Sequence, residues 1–259
     1  MDRRRFLLTG ASLLGGYLFG LSGFSRVFAS ENHPVRSPLN PTIALIVDDI
    51  GDSTSRAKRF LQLNIPLTFS ILPRLRYSQI LAKEIHSCGH EIMLHQPMEP
   101  ADPRLDPGPG ALYLGDDPDK ISRVIEENIS GLSLAIGINN HMGSRFTGSN
   151  KKMRETLRVF KDSGMFFVDS RTSVHSKAYS IARTLHMPAA YRHYFLDNTL
   201  SEPAVLSQLR KLKRCALYYG SAIGIGHPFP QTANAIDLFM KEVNKSEISF
   251  VHISKVLKS

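Results

Sequence analysis

The chain has 259 residues, 42% of them hydrophobic, and a formal net charge of +9. This length suits one large domain, and α/β barrels often reach it as a single unit. The positive charges form no stripe interleaved with aromatic residues, so we expect no nucleic-acid partner. Only Cys88 and Cys215 are present, which excludes a disulfide framework and a cysteine-based metal site. Whether these two cysteines pair is left open.

Residues 1–29 have the pattern of an export signal of the twin-arginine type. An arginine run at positions 3–5 precedes a glycine-interrupted apolar stretch, and Ala29 ends a site for signal peptidase. The alternative is an uncleaved membrane anchor, because residues 6–28 are about long enough to span a bilayer. Either way we expect a periplasmic or extracellular protein, which meets the membrane only if this segment is retained.

Residues 30–41 contain three prolines and are predicted to be a linker, with the folded domain at 42–259. That domain alternates short apolar runs with helical patterns. The predicted strands are 42–47, 67–72, 91–94, 135–140, 165–168, 194–196, 222–225 and 248–253. The predicted helices are 53–63, 78–87, 118–134, 151–163, 176–185, 203–219 and 232–244.

This alternation predicts an α/β fold, an irregular (β/α) barrel of seven or eight units. An open, doubly wound parallel sheet is the alternative. No glycine-rich phosphate-binding loop follows a predicted strand, so nucleotide binding has no support.

Two adjacent carboxylates, Asp48 and Asp49, follow the most apolar strand, Thr42–Val47. Side chains that are adjacent on an extended chain point to opposite sides, so one carboxylate can bind a cation while the other faces a substrate. The competing interpretation is that one or both cap the helix predicted to start near Ser53.

Polar residues also follow four later strands. They are His95, His141, Asp169 and His227, and Arg145 lies just beyond His141. The carboxyl ends of barrel strands meet at one rim, so these side chains should converge on one pocket. Aspartate with neutral imidazoles is a ligand set for Zn²⁺ or a similar divalent ion.

The motifs VDDIG, HQPMEP, NNHMGSRFT, VDSRTS and GIGHP together resemble the divergent polysaccharide deacetylase family, within the NodB-like carbohydrate esterases. The resemblance runs from about residue 42 to the end of the chain. It implies a NodB-like barrel with the active site at the carboxyl ends of the strands.

The resemblance also implies roles for individual residues. Asp48 would be the general base, Asp49 and His95 metal ligands, and His227 the general acid. Glu99 stands where the family pattern has a second histidine. Either Glu99 or His141 could therefore supply the third ligand. Two more residues, Arg145 and Asp169, would orient and polarise the site.

The implied reaction is metal-assisted removal of acetyl groups from an N-acetylated, or O-acetylated, polysaccharide or peptidoglycan-type glycan of the cell envelope. Two alternatives stay open. The first is a catalytically inactive glycan-binding or envelope regulatory protein on the same barrel, since fold does not guarantee activity. The second is a different metal-dependent hydrolase that uses the same rim.

Overall fold

The computed structural model describes residues 40–243 and 247–257, and there the chain alternates between strands and helices. Every strand pairing is parallel. The strands are β1 (Thr42–Ile50), β2 (Thr68–Ile71), β3 (Glu91–Met98), β4 (Gly137–Met142), β5 (Phe166–Asp169), β6 (Ala189–Tyr191), β7 (Tyr194–Phe195), β8 (Ser221–Gly226) and β9 (Ser249–Val251).

The helices are α1 (Thr54–Leu61), α2 (Ser78–Ser87), α3 (Pro118–Gly131), α4 (Asn150–Asp162), α5 (Ala178–Thr184), α6 (Glu202–Tyr219) and α7 (Pro230–Glu242). Local capping starts two of them: Asp117 accepts from the Lys120 amide before α3, and Ser149 accepts from the Lys152 amide before α4. In the described part of the chain, no helix has the length and apolar character needed to cross a membrane.

The strands form a ring that is closed irregularly. Hydrogen-bonded neighbours run β6-β5-β4-β3-β2-β1-β8-β7, with β9 beside β1. The short stretch 189–195 pairs first with β5, as β6, and then with β8, as β7. Between them, the amide of Arg192 donates to Asp169 and that of His193 donates to Ile223. The prediction of an irregular (β/α) barrel is confirmed.

Both faces of the central strands are buried. In β1, Ile43 and Leu45 pack with helix residues such as Phe60 in an outer core. Ala44 and Ile46 point into the barrel interior, whose apolar cluster contains no α-helical residue. Because side chains alternate along a strand, this double burial explains why β1 is continuously apolar rather than alternating.

Three differences from the predicted elements affect the site. β1 and β3 extend past their predicted ends, so the aspartate pair and His95 lie inside strands rather than after them. The strand β6 is missed, because it has only three residues and follows Pro188. The helix-cap interpretation of Asp48 and Asp49 is wrong, since the N-cap of α1 is Ser53.

The export signal at 1–29 and nearly all of the linker at 30–41 lie outside the described residues, so both stay predictions. Cys88 and Cys215 are free thiols and do not bond to each other.

Candidate metal centre and active site

The side chains of Asp48 and Asp49 do not point to opposite sides, as they would on a regular extended strand, because β1 is irregular at these two residues. Its pairing with β2 shifts register between Val47 and Ile50, and Asp49 adopts a left-handed φ of 57°. A bulge of this kind re-aims the side chains of the strand. Both carboxylates therefore face one imidazole: His95 Nε2 lies 3.6 Å from Asp48 Oδ2 and 3.1 Å from Asp49 Oδ1.

Side chains from β1, β3 and β4 meet at the rim of the barrel. Asp49 Oδ1 lies 2.9 Å from His141 Nδ1, and that nitrogen lies 3.2 Å from His95 Nε2. Ligand atoms of a tetrahedral zinc ion, each about 2.0–2.1 Å from the metal, are about 3.3 Å apart. Among the described residues, Asp49, His95 and His141 form the one group of potential ligands spaced to hold a metal ion.

The Oδ1 atom of Asp49 also lacks what a buried carboxylate needs. It is shielded from solvent and has no hydrogen-bond partner within the described chain. The imidazole nitrogens of His141 and His95 lie 2.9 and 3.1 Å from this oxygen, and 3.2 Å from each other. Leaving a buried charged acceptor unpaired costs roughly 1–3 kcal/mol or more. A divalent cation would satisfy this oxygen, and a donor set of one carboxylate and two imidazoles suits Zn²⁺.

The two adjacent carboxyls have opposite acid–base properties. Burial raises the pKa of Asp48 above its ordinary value, and this outweighs the lowering by His95 and His227. Burial also acts to raise the pKa of Asp49, but the imidazoles of His141 and His95 outweigh it and hold that pKa well below its usual range. Two neighbouring carboxyls whose pKa values are shifted in opposite directions can take different roles. Asp49 is suited to hold a cation, and Asp48 to accept a proton.

His227 follows β8 and faces the same centre, with Nε2 3.6 Å from Asp49 Oδ2. Its other ring nitrogen, Nδ1, lies 3.0 Å from Asp197 Oδ1, and its backbone amide donates to Asp197 Oδ2 at 2.6 Å. Thr232 also donates to Oδ2. Burial acts to lower the pKa of His227, but Asp197, with Asp49 and Asp48, outweighs it and raises that pKa to about 9. A protonated His227 can donate from Nε2.

Behind the centre, Asn139 of β4 contacts both halves of the site. Its Nδ2 donates to Asp48 Oδ1 at 2.8 Å, and its Oδ1 lies 2.7 Å from His95 Nδ1. The hydroxyl of Ser70 donates to the same amide oxygen. All four side chains are almost completely buried.

The structure brings His141, and not Glu99, to Asp49 and His95. Glu99 Oε1 pairs with Arg145 Nη1 at 2.7 Å, and Glu99 Oε2 accepts from the Leu114 amide at 2.6 Å. Both oxygens thus hold the loop that follows β3. Arg145 is predicted to orient and polarise the site. In the structure, its guanidinium forms this ion pair with Glu99.

Asp169, at the end of β5, is likewise committed to its own loop. Its carboxylate accepts from the amide of Arg171 and from the hydroxyl of Ser176, both at 2.8 Å, and from the amide of Tyr179. These bonds shape the turn into α5. No contact within the described residues links Asp169 to the metal-spaced group.

A cavity of about 280 Å³ adjoins the cluster, with Asp48, His95, His141 and His227 in its wall. The remaining lining includes the apolar side chains of Leu105, Met142 and Phe195 and the polar side chains of Ser144 and Thr172. A small acyl group therefore has room beside Asp48 and His227.

Sequence reasoning missed three residues of this site: Asn139, Asp197 and Arg192. Asp197 follows the predicted strand 194–196, so the rule that found the histidines applied to it as well. Asn139 lies inside the predicted buried strand 135–140, and a polar residue at such a position indicates a specific hydrogen-bonding role. Arg192 carries no such signal. It donates to the carbonyls of Ser170 and Arg171 and lies over the ring of Phe195, at 4.8 Å.

Two uncharacterized proteins are similar to this chain over most of its length. The uncharacterized protein YibQ of Escherichia coli K12 is 28% identical over 218 residues, covering 83% of this chain and 67% of YibQ. The crystal structure of the uncharacterized protein ATU2773 of Agrobacterium tumefaciens is 25% identical, with a TM-score of 0.79, covering 84% of this chain and 89% of that one.

Two more distant structures share the fold. One is the catalytic domain of a peptidoglycan N-acetylglucosamine deacetylase from Eubacterium rectale, at 14% identity and a TM-score of 0.54, covering 83% of this chain and 90% of that one. The other is BA3943 of Bacillus anthracis, a CE4 family pseudoenzyme, at 14% identity and a TM-score of 0.51, covering 85% of this chain and 66% of that one.

The family model for divergent polysaccharide deacetylases matches residues 45–257, which include all three residues of the metal-spaced group. The chain belongs to the divergent polysaccharide deacetylase family.

Proposed function

We propose that the protein is an exported, metal-dependent hydrolase that removes acetyl groups from an N-acetylated glycan of the cell envelope. The meeting of Asp49, His95 and His141 beside Asp48 and His227 carries this proposal. A ligand set, a buried base and a protonated acid then adjoin one cavity. Family membership supports a glycan as the class of substrate.

The side chains divide the reaction between them. A divalent cation held by Asp49, His95 and His141 would polarise the acetyl carbonyl and lower the pKa of a bound water. Asp48 takes a proton from water as the water oxygen bonds to the acetyl carbon. His227 gives its Nε2 proton to the sugar nitrogen as the carbon–nitrogen bond breaks. The products are acetate and a free amine on the sugar.

The direct test is acetate release from N-acetylglucosamine oligomers, with the protein supplied in turn with Zn²⁺, Co²⁺ or Mn²⁺. We expect acetate and new amine in equal amounts, and no release once a chelator has removed the metal. Asp48→Asn should keep the metal and lower the rate by about 10²–10⁴-fold, because proton transfer alone is removed. Metal binding without acetate release from N- or O-acetylated glycans would indicate a different metal-dependent hydrolase.

The export proposal has its own test. The arginine run and the Ala29 site at the start of the chain support cleavage before Ser30. Mass spectrometry of the protein from the cell envelope should find a chain that begins near Ser30. An intact amino terminus in the membrane fraction would support an anchor instead.

A second candidate is a catalytically inactive glycan-binding protein of the envelope. Two observations favour it: the fold is shared with a CE4 family pseudoenzyme, and Glu99 replaces a histidine of the family pattern and pairs with Arg145. Glycan binding that persists without metal, together with no acetate release under any metal, would support this candidate over the hydrolase.

A further inference from the structure

The amide of Asn139 has hydrogen-bond partners on both of its ends, and this fixes how the amide is turned. Its Nδ2 donates to Asp48 Oδ1 at 2.8 Å, while its Oδ1 receives the Ser70 hydroxyl and lies 2.7 Å from His95 Nδ1. An amide oxygen only accepts, so in this arrangement Nδ1 of His95 must carry the proton. Nε2 of His95 is then the ring nitrogen that can bind a cation, and it lies 3.1 Å from Asp49 Oδ1 and 3.2 Å from His141 Nδ1.

The reversed amide would have the opposite consequences. Its oxygen would face the carboxylate of Asp48, and two acceptors would meet. Its NH₂ would face His95, whose Nδ1 would then have to accept and whose proton would sit on Nε2. An imidazole with a proton on Nε2 cannot bind a metal through that atom. The tautomer of His95 and the hydrogen bond to Asp48 therefore both depend on how the Asn139 amide is turned.

We propose that Asn139 is a positioning residue that sets both halves of the site at once. Its oxygen keeps His95 ready to bind a cation through Nε2, and its NH₂ holds Asp48 by Oδ1, which leaves Oδ2 for the water to be deprotonated. This inference rests on the proposed function, since it assigns Asn139 to the same reaction. It touches neither metal nor substrate, and acts through His95 and Asp48.

The first test reads the proton directly and needs no activity. The imidazole nitrogens of the ¹⁵N-labelled full chain are observed by NMR, with and without Zn²⁺, and His95 is assigned by its absence in His95→Gln. We expect a slowly exchanging Nδ1–H on His95 in the wild type. The signal should be lost in Asn139→Leu and kept in Asn128→Leu, a matched control in which another fully buried, hydrogen-bonded asparagine is replaced.

The second test separates the two roles. Asn139→Leu removes both contacts, so metal affinity should fall about 10–100-fold, the usual effect of losing a hydrogen bond to a metal-binding histidine. Asn139→Asp keeps an acceptor for His95 but turns a second carboxylate oxygen towards Asp48. This variant should keep the metal and the Nδ1–H signal, and lose hydrolysis. Asn128→Leu should match the wild type in metal affinity and rate.

The outcomes distinguish this inference from the proposed function. If the wild type binds no metal but shows the Asn139-dependent Nδ1–H, the proposed hydrolase fails while Asn139 still positions His95. An Nδ1 of His95 without a proton in the wild type would overturn the inference. So would an Nδ1–H signal unchanged in Asn139→Leu, or equal metal affinity in Asn139→Leu and Asn128→Leu. If Asn139→Leu does not fold, Asn139→Asp still decides, because an unchanged hydrolysis rate contradicts the role assigned to the NH₂ group.

Discussion

Each end of the barrel places a carboxylate near histidine, but the two carboxylates differ in the hydrogen bonds that they accept. At the amino end of the strands, Glu91 of β3 accepts from the amide of Ser254 at 3.2 Å, from the hydroxyl of Ser254, and from Thr68 at 3.5 Å, with His252 at 4.0 Å. At the carboxyl end, Asp49 Oδ1 has no hydrogen-bond partner among the described residues.

This difference indicates that Glu91 has a structural role, whereas Asp49 is available to bind an ion. Glu91 connects β3 to the segment after β9, whose Ile253 lies in the barrel interior, and so it holds that segment at the amino end of the strands. Asp49 is held at a left-handed φ, and its carboxylate lies beside the imidazoles of His95 and His141. Residue types alone would not distinguish these two carboxylates, whereas the hydrogen bonds that each accepts do.

The largest expected effect is at Asp49. Asp49→Ala should lose most bound metal and all measurable hydrolysis, because one of three ligands is gone. His141→Ala should do the same. Asp52→Ala is the matched control, since Asp52 is a nearby exposed aspartate whose partner among the described residues is Arg56. Metal content after dialysis measures the effect. If Asp49→Ala retained a full equivalent of metal, Asp49 would not be a ligand, and the contrast with Glu91 would fail.

A smaller effect is expected from Asp197→Asn, which leaves the ligands in place. Asp197 raises the pKa of His227 to about 9, so its loss should bring that pKa down towards the ordinary value near 6.5. A general acid works only when protonated, so activity falls as pH rises through its pKa. The alkaline limb of the pH–rate profile should therefore move to lower pH in the variant. A limb in the same place would show that His227 is not the acid.

At the amino end of the strands, the effect should be on stability alone. Glu91→Ala leaves the donors on Ser254 and Thr68 without their acceptor, which should cost about 1–3 kcal/mol in the free energy of unfolding. Urea denaturation measures this cost. Metal affinity, measured by competition with a chromophoric chelator, should be unchanged. A loss of metal from Glu91→Ala without loss of stability would contradict the structural role given to this end.

The smallest effect belongs to Glu99→Gln. The partner Arg145 is more than half exposed, and such ion pairs contribute about 0.2–1 kcal/mol. Metal affinity should stay at the wild-type value, because His141 and not Glu99 adjoins the other ligands. A large loss of metal in this variant, with metal retained in His141→Ala, would return Glu99 to the ligand set.

The architecture, and the strand ends that carry the candidate site, could be predicted from the sequence. Alternating strands and helices predicted the barrel, and convergence of strand ends at one rim brought together Asp48, Asp49, His95, His141 and His227. These inferences succeed because both depend on periodicity and chain polarity, which are local properties of the sequence.

Three features could not be predicted, for distinct physical reasons. The turn of both carboxylates towards one imidazole depends on a bulge at Asp49, which no glycine marks. The choice between Glu99 and His141 depends on Arg145, whose partner is set by tertiary packing. The link through Asn139 joins side chains that are distant in sequence, since Asp48 and Asn139 are 91 residues apart.

Zinc stoichiometry of the wild-type protein tests the central claim most directly. The full chain, purified without chelator and dialysed against Zn²⁺, should retain one ion per molecule, and Asp49→Ala treated in the same way should retain almost none. Wild-type protein that retains no Zn²⁺, Co²⁺ or Mn²⁺ would contradict the claim that Asp49, His95 and His141 form a metal centre.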